Sequence, residues 1–361
     1  MTAPNQKFLS VPFTLKNWLP PWFGNQYRKV IFSTRIRYAR NISEFKFPQF
    51  AKPKTRQYIY NSILKAVGED GLQIIGLFDL NRRYLELLEE RHLINTQPIP
   101  ESYLMLDENE LISLLINQED HLRIQSLQPG FEPEQALAVA DYWDHKLNKS
   151  LKFAGNSKWG YLTSCPTNLG TGLRLSFLVH IPGLFLTGEL NKVKAAADQC
   201  RLAIRGLFGE GTKAIGSFCQ ISNQKTFGPV GVIIDQVNKF MIKLADYEWF
   251  ARERIVRYNK QFLTDRINKQ MEKLLNYKLS HFVSTMPNFK GIQELAKNLS
   301  MIKLGFDLGI QDQLDDKKIT YLLFFCKPRH LELLNEKYTT HSFSDLLNSY
   351  YQYEEFTHAQ G

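Results

Sequence analysis

The stretch that constrains this chain most is residues 161–178, Tyr-Leu-Thr-Ser-Cys-Pro-Thr-Asn-Leu-Gly-Thr-Gly-Leu-Arg-Leu-Ser-Phe-Leu. It starts like a strand at Tyr161 and Leu162, turns through Pro166, Gly170 and Gly172, and leaves through Arg174 into an apolar run. Polar loops of this kind sit on rigid scaffolds, and chemistry usually sits on such loops. This one offers a thiol (Cys165), an amide (Asn168), backbone N–H groups freed by two glycines, and a guanidinium (Arg174). That inventory suits anion handling beside a nucleophile-bearing substrate.

The chain has 361 residues, enough for one large domain or two smaller ones. With 43% hydrophobic and 22% charged residues it has a globular composition, not a disordered one. No apolar run reaches the roughly 18 residues of a membrane span, and Met1 to Pro20 shows no signal-peptide core. Cys165, Cys200, Cys219 and Cys326 lack CxxC spacing, which argues against a zinc site or a disulfide framework and for a reducing cytoplasm. The net charge of +9 fits plain solubility, nucleic acid, a phosphate-rich ligand or an acidic partner. The arginines fall at loop junctions, not along a helix face with interleaved aromatics, so nucleic acid is the weakest of these readings.

Residues 1–27 form a Pro-, Trp- and Phe-rich lead-in. Val30–Phe32, Leu111–Ile116, Ser176–Leu186 and Phe218–Ser222 read as strands or buried segments. Helical spacing marks 54–67 (Tyr58, Ile63, Leu64 and Val67 as its apolar side), 77–94, 133–148, 192–203 and 235–277, and 290–361 is mostly helical. The expected organisation is a mixed sheet-and-helix domain over 28–258 and a helical domain over 259–361.

Strand-to-loop junctions present Arg35 and Arg37, Arg123, Arg174 and Arg205. Singly, each fits a surface ion pair. Together, five guanidinium forks fit a phosphate cradle, because they bind phosphate oxygens bidentately and stay charged. Neither GxxxxGK[ST] nor a protein-kinase glycine loop is present, so a bound nucleotide would be held by arginine side chains. On the acceptor side stand Glu119, Asp120 and Glu210. Gln118-Glu119-Asp120 reads either as a solvated, helix-capping turn or as carboxylates that orient and deprotonate a cationic acceptor. Cys165 is either a polarisable thiolate near Arg174 or a small buried apolar group. His92, near a helix end, caps it or stacks on a purine.

Ser33-Thr34-Arg35-Ile36-Arg37, Asn117-Gln118-Glu119-Asp120-His121-Leu122-Arg123, Cys165-Pro166-Thr167-Asn168-Leu169-Gly170-Thr171 and Arg205-Gly206-Leu207-Phe208-Gly209-Glu210 resemble, in order, the motifs of the phosphagen (ATP:guanidino) kinases. Ile221-Ser222-Asn223 fits the segment that follows, and the match spans roughly 28–258. Within that family the chain resembles the bacterial protein-arginine kinases of the McsB type: Ser33-Thr34-Arg35 comes too early for the helical N-terminal domain of the animal enzymes, and Lys303-Leu304-Gly305-Phe306-Asp307-Leu308-Gly309 looks like the bacterial C-terminal domain. The resemblance implies an α+β, glutamine-synthetase-like catalytic domain, an antiparallel sheet flanked by helices, plus a mainly α-helical C-terminal domain that dimerises. It implies phosphoryl transfer from ATP to protein arginines in the cytoplasm, with Mg2+ held by nucleotide phosphates and water. Such activity marks proteins for degradation or regulates a stress response, with a zinc-binding activator protein and Clp protease machinery as partners. Implied nucleotide contacts are Ser33, Thr34, Arg35, Ile36, Arg37, His92, Arg123, Arg174, Leu175, Ser176, Phe177, Leu178, Arg205, Gly206, Leu207, Phe208, Gly209 and Glu210. Glu119, as base, and Glu210 would clamp the guanidinium, with Asp120 and Cys165 beside it. Two departures stand out. Gln118 replaces the family's usual Glu, and no Arg-Asp-x-x-Arg-Ala motif follows Arg329, the last arginine; the tail carries Tyr350, Tyr351, Tyr353 and Phe356 instead. A free-arginine kinase and a catalytically idle nucleotide-binding adaptor are the competing readings.

Overall fold

The structure, a computed structural model, describes residues 26–94, 97–206, 216–275 and 289–325. Among the described residues ten strands form in chain order: β1 (Ile31–Arg40), β2 (Gln73–Gly76), β3 (Tyr103–Leu106), β4 (Ile112–Ile116), β5 (Leu122–Pro129), β6 (Gly155–Asn156), β7 (Gly160–Tyr161), β8 (Leu173–His180), β9 (Leu202–Gly206) and β10 (Phe218–Asn223). Eight of them make one sheet in the order β2-β3-β4-β5-β1-β8-β10-β9, and β6 and β7 form a separate ribbon. The β2–β3, β3–β4, β4–β5, β5–β1 and β1–β8 pairs are all antiparallel. The described helices are α1 (Pro53–Val67), α2 (Arg82–Glu90), α3 (Pro133–Leu151), α4 (Pro182–Leu186), α5 (Leu190–Gln199), α6 (Val230–Leu275), α7 (Phe289–Asp307) and α8 (Asp316–Phe325). The expected α+β class, an antiparallel sheet flanked by helices with a helical region after it, is what the chain adopts. None of the described helices is long and apolar enough to cross a membrane.

Register decides what each sheet face carries, because directly opposed residues point the same way and neighbours along a strand alternate. One face of the central strands presents Ile36 and Tyr38 of β1, Ile124 of β5, and Leu173, Leu175 and Phe177 of β8. All are buried. α3 covers this face with Ala136, Ala140, Trp143 and Leu147, spaced three or four apart, and the Tyr38 hydroxyl donates to its Asp141 at 2.7 Å. On the other face Ile75, Leu104, Leu106 and Leu115 of β2–β4 pack with Leu85 and Leu88 of α2 and with Leu93. Beyond β4 that face mixes arginines with apolar residues such as Leu127, opposite Arg35.

Some local expectations differ from the outcome. The segment 77–94 is not one helix: Leu77 extends from β2, bonded to the Ser102 carbonyl, and α2 starts only at Arg82, where the Asn81 side chain caps Arg83 N–H. The run 176–186 divides into strand and helix at Pro182, which suits a first helical position. Tyr58, expected on the apolar side of α1, is exposed, while Tyr60 is buried and stacks on Tyr103.

The chain divides into two compact units, Met1–Val179 with Lys194–Ile204 and Gln220–Lys243, and His180–Val193 with Arg205–Cys219 and Leu244–Gly361. α6 has a non-helical residue at Asn259, and the unit boundary lies earlier in the same helix. The second unit is organised around buried ions. The Glu248 carboxylate accepts from Gly183 and Leu184 N–H (2.8 and 2.9 Å) and from Arg252 Nε (2.6 Å). Arg252 also reaches Asp307 at 3.0 Å and the His180 carbonyl at 3.3 Å, and Lys303 pairs with Asp307 and with Asp316. Burial pushes the Glu248 and Asp307 carboxyls up, against the pull of these cations. Removing one partner from such a network strands an uncompensated charge. Arg252→Leu is therefore expected to cost about 3–5 kcal/mol in chemical denaturation; an unchanged midpoint would show that the network contributes nothing net.

Candidate active site

The polar part of the second sheet face is built by alternation. Arg35 and Arg37 are two apart on β1 and share a face. Across the register Arg37 faces Gln125 of β5 and Arg174 of β8, Arg35 faces Ser176, and Ala39 faces Arg123. Arg35, Arg37, Arg123 and Arg174 therefore emerge on one side of three neighbouring strands, each half-buried. Arg35 Nε donates to Ser176 Oγ at 3.3 Å. Burial lowers the Arg123 guanidinium to about 10, partly offset by Glu119 and Asp120, so it stays charged near neutrality.

The same face fixes His92. Arg123 Nη2 donates to the Leu93 carbonyl at 2.8 Å, and Gln125 Nε2 to the His92 carbonyl at 3.3 Å. Arg91, just before it, is buried against Glu110. His92 has φ +61, a left-handed turn after α2, with its N–H on the Glu89 carbonyl. It is half-buried where the α2-covered part of the face gives way to the arginines.

Alternation also corrects part of the expected nucleotide set. Ser33, Ser176 and Leu178 lie on the arginine side, but Thr34, Ile36, Leu175 and Phe177 point the other way. Ile36, Leu175 and Phe177 are fully buried, and the Thr34 hydroxyl donates to the Gly130 carbonyl and accepts from Glu132 N–H, so these four side chains pack the core. Arg205 and Gly206 end β9 in the second unit, and Leu207, Phe208, Gly209 and Glu210 lie outside the described residues.

The β4–β5 turn separates the two expected carboxylates. Glu119 is exposed at its tip. Asp120 is 5% exposed, and its Oδ1 accepts from Asn41 Nδ2 at 2.6 Å and from Ser164 N–H at 2.7 Å. Burial raises its carboxyl, and those two donors oppose the rise. The Asp120 carboxylate, expected beside the guanidinium, is thus engaged as a clamp that joins the turn, the end of β1 and the residue before Cys165. His121 completes the clamp. Its Nδ1 accepts from Ile42 N–H at 3.0 Å, which leaves Nε2–H to donate to the Lys46 carbonyl at 2.8 Å.

Cys165 is half-buried and free, with its sulfur 3.0 Å from the Thr167 hydroxyl, and it heads the 3-10 turn Pro166–Asn168. The glycines have a different purpose from the one expected. A Cβ on Gly170 (φ +102) would lie 2.6 Å from the Thr226 carbonyl, and one on Gly172 (φ +66) 2.5 Å from Arg40 Nη1 and 2.7 Å from the Ala39 carbonyl. They permit close approach of backbone, and the Thr171 N–H between them is already bonded to Thr226.

Arg40, Asn41, Asp144 and Thr226 were missed in the sequence. Arg40 is buried, bidentate to Asp144 (2.7 and 3.1 Å), bonded to the Ala39 and Thr171 carbonyls, and 3.6 Å from the Tyr161 ring centroid. The available signal was parity: three residues after Arg37, it must face the α3 side. Among the described residues no group of three or more His, Cys, Asp or Glu could hold a metal ion.

Gly172→Ala is expected to destabilise the chain by about 1–3 kcal/mol, read from its denaturant midpoint; a wild-type midpoint would remove the close-approach explanation. His121 has its pKa lowered, mainly by burial. Its contribution to stability is complete above its unfolded pKa of about 6.5 and is lost as pH falls through the lower folded value. Unfolding measured from pH 7.5 to 5 should show a shallower acid loss in His121→Gln, and identical slopes would contradict the assignment.

The model of the ATP:guanido phosphotransferase C-terminal catalytic domain matches residues 56–249, which include Arg123, Cys165, Arg174 and Arg205. A protein-arginine kinase of Halothermothrix orenii is 35% identical over 338 residues, 91% of this chain and 94% of the relative. That of Bacillus subtilis is 36% identical over 312 residues, 84% of this chain and 83% of the relative. Among solved structures, the duplicated taurocyamine kinase of Schistosoma mansoni with bound transition-state-analogue components aligns with a TM-score of 0.56 at 25% identity, covering 68% of this chain and 37% of that one. A lombricine kinase aligns with the same TM-score at 22% identity, covering 68% and 73%, which supports the fold. With a family model over more than half its length and relatives matched almost end to end, the chain belongs to the ATP:guanido phosphotransferase family.

Proposed function

We propose that this chain is a protein-arginine kinase, passing the γ-phosphoryl group of ATP to the guanidinium of arginine residues in polypeptides. The observation that carries the reading is the joining of an arginine face to an acceptor turn. Arg123 follows Glu119 by four residues and feels its charge, while Arg35, Arg37 and Arg174 stand on the adjoining strands.

Four fixed guanidinium groups suit the polyphosphate of a nucleotide, where catalysis is mainly positioning and charge stabilisation. Magnesium bound with the nucleotide would neutralise further phosphate charge. A guanidinium is nucleophilic only as it sheds a proton. In the transfer its nitrogen bonds to the γ-phosphorus, the bond to the ADP oxygen breaks, and the proton passes to the Glu119 carboxylate. Glu210, by family likeness, is the second carboxylate proposed to act on the acceptor, and Cys165 the thiol proposed to assist. Gln118 is buried in the turn, so its amide leaves the exposed Glu119 intact and avoids burying another charge. That favours an active enzyme over an idle adaptor. The relatives' names favour a protein-bound acceptor over free arginine. Dimerisation through 259–361 and a cytoplasmic role in marking proteins belong to the same proposal.

The test is incubation with ATP, magnesium and either an unfolded arginine-containing protein or free arginine, followed by mass spectrometry under non-acidic conditions. Phosphoarginine in the protein is expected; product on free arginine alone would reverse the choice of acceptor. Glu119→Gln should cut turnover at least about a hundredfold with nucleotide affinity retained, and unimpaired turnover would remove the proposed base. Arg174→Ala should weaken nucleotide binding or transfer, and wild-type values for both would break the cradle.

A further inference from the structure

We infer that the aromatic edge formed by residues 45–58 is the docking surface for the polypeptide flanking the acceptor arginine, and that it selects unfolded segments with apolar side chains next to that arginine. This rests on the protein-arginine reading and names the feature of the substrate that the site itself does not reach.

The edge is continuous with the acceptor turn and loop. Gln49 Nε2 donates to Ser164 Oγ at 2.6 Å, one residue before Cys165. His121, two residues after Glu119, holds the Ile42 N–H and the Lys46 carbonyl. Phe45 packs edge-on to the His121 ring at 6.4 Å and tilted against Tyr58 at 5.6 Å. From this anchored base two large aromatic rings face solvent, Phe50 at 69% and Tyr58 at 61% exposure.

A lone exposed ring is ordinary, but these two follow, on the same short segment, three residues joined to the acceptor turn and loop: Phe45 and Lys46 through His121, and Gln49 through Ser164. Tyr58 departs from the apolar spacing of its own helix to be there. The exposed charged residues of the segment 44–58 are Lys46, Lys52 and Lys54 against Glu44, so it suits apolar side chains with acidic neighbours and disfavours strongly basic flanks. A folded protein buries the apolar side chains such rings would contact, whereas an unfolded one presents them beside its arginines. Free arginine has no flanks and gains nothing from this edge.

The test uses two unstructured peptides, each with one arginine, flanked by leucine and glutamate in one and by glycine and serine in the other. The wild-type enzyme should show a KM about tenfold lower for the leucine peptide. The Phe50→Ser/Tyr58→Ser variant should lose that preference, with kcat, nucleotide affinity and the KM of the glycine peptide unchanged. Wild-type enzyme without a preference, or a variant that keeps it, overturns the inference while the glycine peptide still reports a working protein-arginine kinase. Phosphorylation of free arginine and of neither peptide overturns both readings together.

Discussion

Arg37 and Arg174 stand directly opposite each other on adjacent antiparallel strands, an arrangement that sheets avoid because like charges across a pair repel. The site is built on this conflict. Arg35 and Arg123 add positive charge on the same face, and the cost is borne by the reverse face, where Ile36, Leu175 and Phe177 lock the strands under α3. A nucleotide bound across these side chains, as proposed, would link its affinity to the stability of the sheet.

The acceptor side depends on the opposite device, charges that are buried and fully engaged. Asp120 spends its carboxylate on Asn41 and Ser164, which leaves Glu119 as the exposed carboxylate of the turn. Arg40 spends its guanidinium on Asp144 and two carbonyls beneath the Tyr161 ring. A pair of acids adjacent in sequence, and two arginines three apart, thus separate into a presented group and an anchoring group. The sheet and turn geometry makes that choice, not the residue type.

Much of this was legible in the sequence. The motif order gave the fold class, and the two-residue spacing of Arg35 and Arg37 gave their shared face. The same rule, applied to Thr34, Ile36, Leu175 and Phe177, would have placed them in the core. Asp120 was less accessible, because its role is set by Asn41 and Ser164, 79 and 44 residues away. The glycines of the 161–178 loop looked like providers of N–H groups, since close contact with Thr226 and Arg40 exists only after folding. The start of α2 was hidden because Leu77 carries the same apolar character in a strand extension as in a helix.

The division into units is not a division of the chain into consecutive pieces. The boundary is crossed between 179 and 180, 193 and 194, 204 and 205, 219 and 220, and 243 and 244. Neither unit can be cut out with a single pair of ends, and any fragment stopping near 258 carries an incomplete copy of the second. Such interlacing makes each unit a composite of several separated stretches of one chain, so a truncation or an insertion at any of these crossings falls on the border of both.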